Sequence, residues 1–159
     1  MIRDQSCLGA SPRTDIFVSD AYLDEGLRPS ELDQWLAIPT FNMFNNYGIV
    51  LACSGASNVG QLSNQAAIEL TREGYGKMFC LAGIGGDVEA ILKTTREADT
   101  ILAIDGCPVD CTKKTLDRAG ITGFRHMQVT ALGFDKGKTV VDARSIDTVA
   151  GHGKRMMCE

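Results

Sequence analysis

Gly48-Ile49-Val50-Leu51-Ala52-Cys53 is a continuous apolar run rich in β-branched residues. Two more of the same texture follow at even spacing, Lys77-Met78-Phe79-Cys80-Leu81-Ala82 and Thr100-Ile101-Leu102-Ala103-Ile104-Asp105. Runs of this length without polar alternation read as strands buried on both faces. Each is followed by glycines or turn formers and then by a helical pattern. The helices run from Gln61 to Glu73, with Leu62, Ala66, Ile68 and Leu70 as the inward side, from Val88 to Glu97, and from Pro108 to Ala119. Strand and helix alternating at this length imply a parallel sheet with right-handed crossovers. His126 to Leu132 reads as a fourth strand, and Thr139-Val140-Val141-Asp142 as a short fifth. The fold class is therefore α/β, an open parallel sheet flanked by helices in a flavodoxin-like or Rossmann-like three-layer sandwich, spanning residues 47–146.

Residues 1–46 have a different texture. They carry Pro12, Pro29 and Pro39, one helical pattern from Ser30 to Leu36, and Phe17, Tyr22, Trp35, Phe41 and Phe44. Large aromatic groups are seldom left in water, so the segment reads as an N-terminal arm packed on the core or on a second copy of the chain, which makes a homo-oligomer an expected partner. Residues 147–159, with Gly151 and Gly153 around His152, read as a frayed C-terminal tail.

The whole chain of 159 residues is the size of one domain. Its 44% hydrophobic and 23% charged residues suit a globular core and exclude general disorder. A net charge of -4 and the lack of a basic stripe argue against nucleic acid as a partner. No apolar run has the roughly 18 residues of a membrane span or the flanks of a signal peptide, so no membrane partner and a cytoplasmic location are expected. In that reducing compartment six cysteines point to metal or redox chemistry rather than to a disulfide framework.

Four of the six cysteines fall in phase with the strands. Cys53 and Cys80 are 27 residues apart, as are Cys80 and Cys107, and Cys111 follows after Pro108-Val109-Asp110. Neighbouring strands of a sheet are about 4.8 Å apart, so thiols at the carboxyl ends of successive parallel strands share one edge, where ligands of open α/β folds bind. Pro108 reads as the first helical residue, with Cys107 as the N-cap and Cys111 one turn on. Four thiolates satisfy a tetrahedral zinc ion or an iron-sulfur cluster. Alternatively, Cys107 is the nucleophile or redox thiol of an enzyme and a neighbouring cysteine resolves the intermediate.

The loops narrow the chemistry. Ser54 to Gly60 is a small-residue turn able to cradle an anion, yet it lacks the Gly-Lys-Ser/Thr ending of a phosphate-binding loop and has Val59 where a Cys-x5-Arg phosphatase has arginine. Gly83-Ile84-Gly85-Gly86-Asp87 does not complete a dinucleotide fingerprint, because Val88 stands where the last glycine belongs. Asp105 reads as a turn former and His126 as a surface residue. His152 and Cys158 add donors to the tail, and Cys7 has no assignable partner.

Cys53-Ser54-Gly55, Cys80 with Ala82-Gly83, Asp105-Gly106-Cys107-Pro108 with Cys111, and Leu132-Gly133 with Lys136-Gly137 together resemble the DGC-domain family, named for its Asp-Gly-Cys tripeptide. The resemblance begins at the first strand, covers about 100 residues and leaves the arm outside. It implies a zinc-binding protein with Cys53, Cys80, Cys107 and Cys111 as the metal ligands, in a structural or metal-handling role.

Overall fold

The parallel register expected from the three apolar runs is present throughout the sheet. The computed structural model describes residues 48–159. The N-terminal arm of residues 1–46, its aromatic side chains, Cys7 and the oligomer contact expected of the arm lie outside the described residues. Strands β1 (Gly48–Ala52), β2 (Lys77–Met78), β3 (Thr100–Asp105) and β4 (Arg125–Gln128) stand in the order β2-β1-β3-β4, and every neighbouring pair is parallel. Between and after them come α1 (Asn58–Arg72), the short α2 (Leu81–Gly85), α3 (Glu89–Arg96), α4 (Cys111–Arg118) and α5 (Ala143–Cys158), with a 3-10 turn at Val129–Leu132.

Why the central strands show no polar alternation is clear from the packing. Val50, Ala52, Leu102 and Ile104 point to one face, where they meet Leu62, Ala66 and Leu70 of α1 and Val149 and Ala150 of α5. Ile49, Leu51, Ile101 and Ala103 point to the other, where Ile84 of α2, Leu92 of α3 and Leu116 of α4 cover them. Both faces are dry at the centre of the sheet, so Ile49 to Ala52 and Ile101 to Ile104 are all apolar. The result is the three-layer arrangement.

Several elements differ from the sequence reading, each for a local reason. Strand β2 stops at Met78 because Cys80 turns the chain into α2, its Sγ accepting a hydrogen bond from the Gly83 amide at 3.3 Å. The glycines expected to form an open loop after it instead build that helix turn, and a Cβ on Gly83 would collide with Ile91. In α1 the inward position belongs to Ala67, while Ile68 is 37% exposed. The fourth strand ends at Gln128, where the chain tightens into the 3-10 turn.

No fifth strand forms over Thr139 to Asp142. Val140 is 69% exposed, so its β-branched side chain has no sheet to pack on. Asp142 instead caps α5, accepting the Ser145 amide at 2.8 Å, a bond that also holds its carboxyl below the usual range. Residues 147–159, expected to fray, form most of this helix. Gly153 lets it approach so closely that a Cβ there would lie 2.8 Å from Leu70 Cδ1. Lys154 adds an ion pair to Glu73 and stacks 5.6 Å from the Tyr75 ring centroid. No helix among the described residues is long and apolar enough to cross a membrane.

Leu70 is fully buried between the sheet and α5. Leu70→Ala is expected to destabilise the protein by about 2–5 kcal/mol, read from the urea midpoint. A loss under 1 kcal/mol would show that α5 is not docked as described.

Candidate metal centre

Parallel strands deliver their carboxyl ends to one edge, and here that edge places three cysteine-bearing ends side by side. Cys80 follows β2, Cys53 follows β1 and Cys107 follows β3, with β1 in the middle. Cys53 is still on the ladder, its amide donating to the Ile104 carbonyl at 2.9 Å. Cys111 is the first residue of α4, which rises from the end of β3. All four thiols are free, Cys80 and Cys111 exposed and Cys53 and Cys107 partly covered.

The helix expected from Pro108 begins three residues later, at Cys111. The Asp110 amide donates to the Cys107 carbonyl at 3.1 Å, so Cys107 to Asp110 closes a turn, and Asp110 takes a left-handed conformation with φ 55°. Aspartate tolerates that region better than most residues with a Cβ. The first amides of α4 are satisfied from the strand instead. Asp105 Oδ1 accepts from Thr112 N at 2.8 Å, and Oδ2 accepts from Lys113 N at 3.0 Å. Its remaining partner is His126 Nε2, 3.0 Å from Oδ2.

Asp105 is therefore a fully buried cap rather than a turn former, and His126 is a half-buried partner rather than a surface residue. Asp110 approaches the same ring nitrogen, its Oδ1 3.7 Å from His126 Nε2 and accepting Gln128 Nε2 at 3.0 Å. The donor atoms of Asp105, Asp110 and His126 lie within 4.8 Å of one another. Sequence reasoning missed this group, although one signal existed. Ala103 pairs with His126 and Asp105 with Gln128 in the β3–β4 register, so all the polar members face the α4 side.

Gly106 links this cap to the thiols. A Cβ at Gly106 would lie 2.8 Å from the backbone of Val59 and 2.9 Å from the Gly60 amide, so the strand end passes α1 too closely for any side chain. That approach brings the Gly106 amide to Cys53 Sγ, 2.9 Å away. Three of the four sulfurs thus accept an N–H group: Cys53 from Gly106, Cys80 from Gly83, and Cys107 from Lys136 Nζ at 3.5 Å. Burial pushes the Cys53 thiol up from its ordinary value, and the charges of Asp105 and Cys111 add to this. Ser63 Oγ, 3.5 Å from the sulfur, and the Gly106 amide act against it.

The four thiols share an edge, but they are not drawn to a point. Among the described residues no three of the sulfurs lie within 4.8 Å of one another. A tetrahedral zinc ion with bonds near 2.3 Å holds its sulfurs about 3.8 Å apart. The donor set fits a thiophilic metal in number, chemistry and hydrogen bonding, and holding one ion would require the sulfurs to draw closer together. His152 and Cys158 lie on α5.

Comparison with known proteins supplies a family. The DGC domain family model matches residues 49–152. The curated relative "Anaerobic and virulence modulator AnvM" of Pseudomonas aeruginosa is 42% identical over 88 residues, which is 55% of this chain and 67% of that protein. No solved structure matches the chain.

Two measurements probe the edge. Asp105→Ala strips two helix amides and an imidazole of their acceptor, and is expected to cost about 1–3 kcal/mol. An unchanged unfolding midpoint would contradict the capping role. In metal-free native protein, a raised Cys53 pKa means that the proton is retained at pH 8 and lost only above the ordinary 9.0. Alkylation at Cys53, mapped by mass spectrometry, should therefore be slow at pH 8 and still accelerating above pH 9. A rate already level by pH 8 would contradict the desolvated thiol.

Proposed function

The chain belongs to the DGC-domain family, and on that premise we propose that it is a metal-binding protein whose Cys53, Cys80, Cys107 and Cys111 hold one zinc ion in a structural or metal-handling role. The single observation that carries the reading is the sheet order. It brings the ends of β2, β1 and β3 together with a cysteine just beyond each, and sets a fourth cysteine at the head of α4. N–H donors on three of the sulfurs support it, since thiolates that bind metal need acceptor-type hydrogen bonding and not a donor's role. Zinc, when bound, supplies no redox chemistry and converts binding free energy into folding free energy. The chain's own contribution is positional. Asp105 fixes the head of α4, Gly106 fixes the approach of β3 to α1, and both keep Cys107 and Cys111 on the Cys53 side of the edge.

A second reading has one observation in its favour. Among the described residues no three sulfurs lie within 4.8 Å of one another, and an iron-sulfur cluster, which interposes its own atoms between thiolates, accommodates more widely set cysteines than a single ion does. The same four residues would then hold the cluster, for electron transfer.

Purification without oxygen, followed by metal analysis and a visible spectrum, tests both. The expected result is one zinc per chain and a colourless protein, with Cys107→Ala losing the metal and melting at a lower temperature. Iron with a brown chromophore would transfer the site to the second reading. A metal-free wild type with one fast-reacting thiol and an unchanged melting temperature after chelation would remove both, in favour of thiol chemistry at Cys107.

A further inference from the structure

Among the described residues, a cation reaches the thiol edge at Lys136, whose ammonium donates to Cys107 Sγ. A long exposed side chain is ordinarily free to wander, so the question is what fixes its origin. The answer lies in Asn58, the first residue of α1. Its Nδ2 donates to the Asp135 carbonyl at 2.9 Å and to the Thr139 carbonyl at 2.8 Å, and its Oδ1 accepts the Gly137 amide at 2.7 Å. Both amide protons and the amide oxygen are committed to one short turn, which leaves the side chain a single orientation.

The turn is closed on itself as well. Asp135 N donates to Thr139 Oγ1 at 2.7 Å, the Lys138 and Thr139 amides both donate to the Asp135 carbonyl, and Gly137 supplies the left-handed residue with φ 83°. Phe134 and Leu132 anchor its start in the core beside α1 and α5. Lys136 therefore springs from a backbone wrapped around the head of α1, next to the loop that carries Cys53.

We infer that Lys136 is the charge partner of the thiolate centre and that Asn58 is the residue that positions it. The inference rests on the metal-thiolate reading above and deepens it. A divalent ion with four thiolates carries two surplus negative charges, and an ammonium at hydrogen-bond distance from one sulfur offsets part of that excess. Asn58 acts through Lys136 by holding the turn, and touches no sulfur itself.

A double-mutant cycle on the full chain tests this. Zinc affinity is measured by competition with a chromophoric chelator for wild type, Lys136→Met, Lys136→Arg, Asn58→Asp and the Asn58→Asp, Lys136→Met double variant. Asn58→Asp removes both donors and turns the carbonyl contacts repulsive. Lys136→Met is expected to weaken binding by about 10-fold or more, the scale seen when groups supporting metal ligands are removed. Lys136→Arg, which keeps the charge, should stay near wild type. The double variant should be no weaker than the weaker single one, because both changes remove the same contact. The wild-type advantage over Lys136→Met should also shrink as salt rises.

Lys136 is exposed, so its substitution leaves the fold intact, and melting of the metal-free proteins separates a folding defect in Asn58→Asp from a binding one. Unchanged affinity in Lys136→Met, with wild type still binding through four thiols, would overturn this inference alone. Additive losses would overturn the role of Asn58. A wild type that binds no zinc would bring down the metal reading and this inference with it.

Discussion

A carboxylate without water around it must find its donors in the protein, and Asp105 finds three. Two are the Thr112 and Lys113 amides at the head of α4, and the third is the His126 ring. These contacts join the end of β3, the start of α4 and strand β4, the elements that carry or back the thiols at Cys107 and Cys111. The helix dipole favours the negative charge at that place, and charge-assisted bonds of this kind are about twice as strong as neutral ones. Each member of the Asp-Gly-Cys tripeptide then has its own physical task. Asp105 caps, Gly106 permits the close pass by Val59 and gives its amide to Cys53, and Cys107 offers the sulfur.

Much of this was legible in the sequence because it rests on periodicity. Unbroken apolar runs at Gly48 and Thr100 identify strands covered on both faces, and β3 matches its run residue for residue, whereas the run at Lys77 yields only the short edge strand β2 with Lys77 exposed. The shared phase of Cys53, Cys80 and Cys107 follows from the same regularity, as does their common edge. What escaped the reading is tertiary. The start of α4 is set by a carboxylate from a strand rather than by Pro108, so local capping rules place it three residues early. His126 looks exposed until β3 and β4 are in register, and register is a pairing between distant segments. The last helix was hidden by Gly151 and Gly153, residues that lower intrinsic helix propensity, although Gly153 here allows α5 to lie against Leu70.

The separation of the sulfurs matters to the proposed role. Cys53 is held by the sheet, a neighbouring helix and the Gly106 amide, whereas Cys80 and Cys111 are exposed at the ends of short helices. In the proposed metal role, one anchored thiol and more exposed neighbours would have to close on the ion, which would couple metal binding to local order. Proteins that exchange metal gain from such an arrangement, since a fully preformed cage exchanges slowly. The raised Cys53 pKa would work in the same direction, because an incoming metal would have to displace a proton that burial retains. Uptake is thus expected to depend on pH.

The central claim is that four thiols act on one ion. X-ray absorption at the zinc edge of the reduced, metal-loaded protein tests it most directly. The account predicts a first shell of four sulfurs at about 2.3 Å, falling to three in Cys53→Ala. A shell dominated by nitrogen or oxygen, or one unaffected by that substitution, would contradict it.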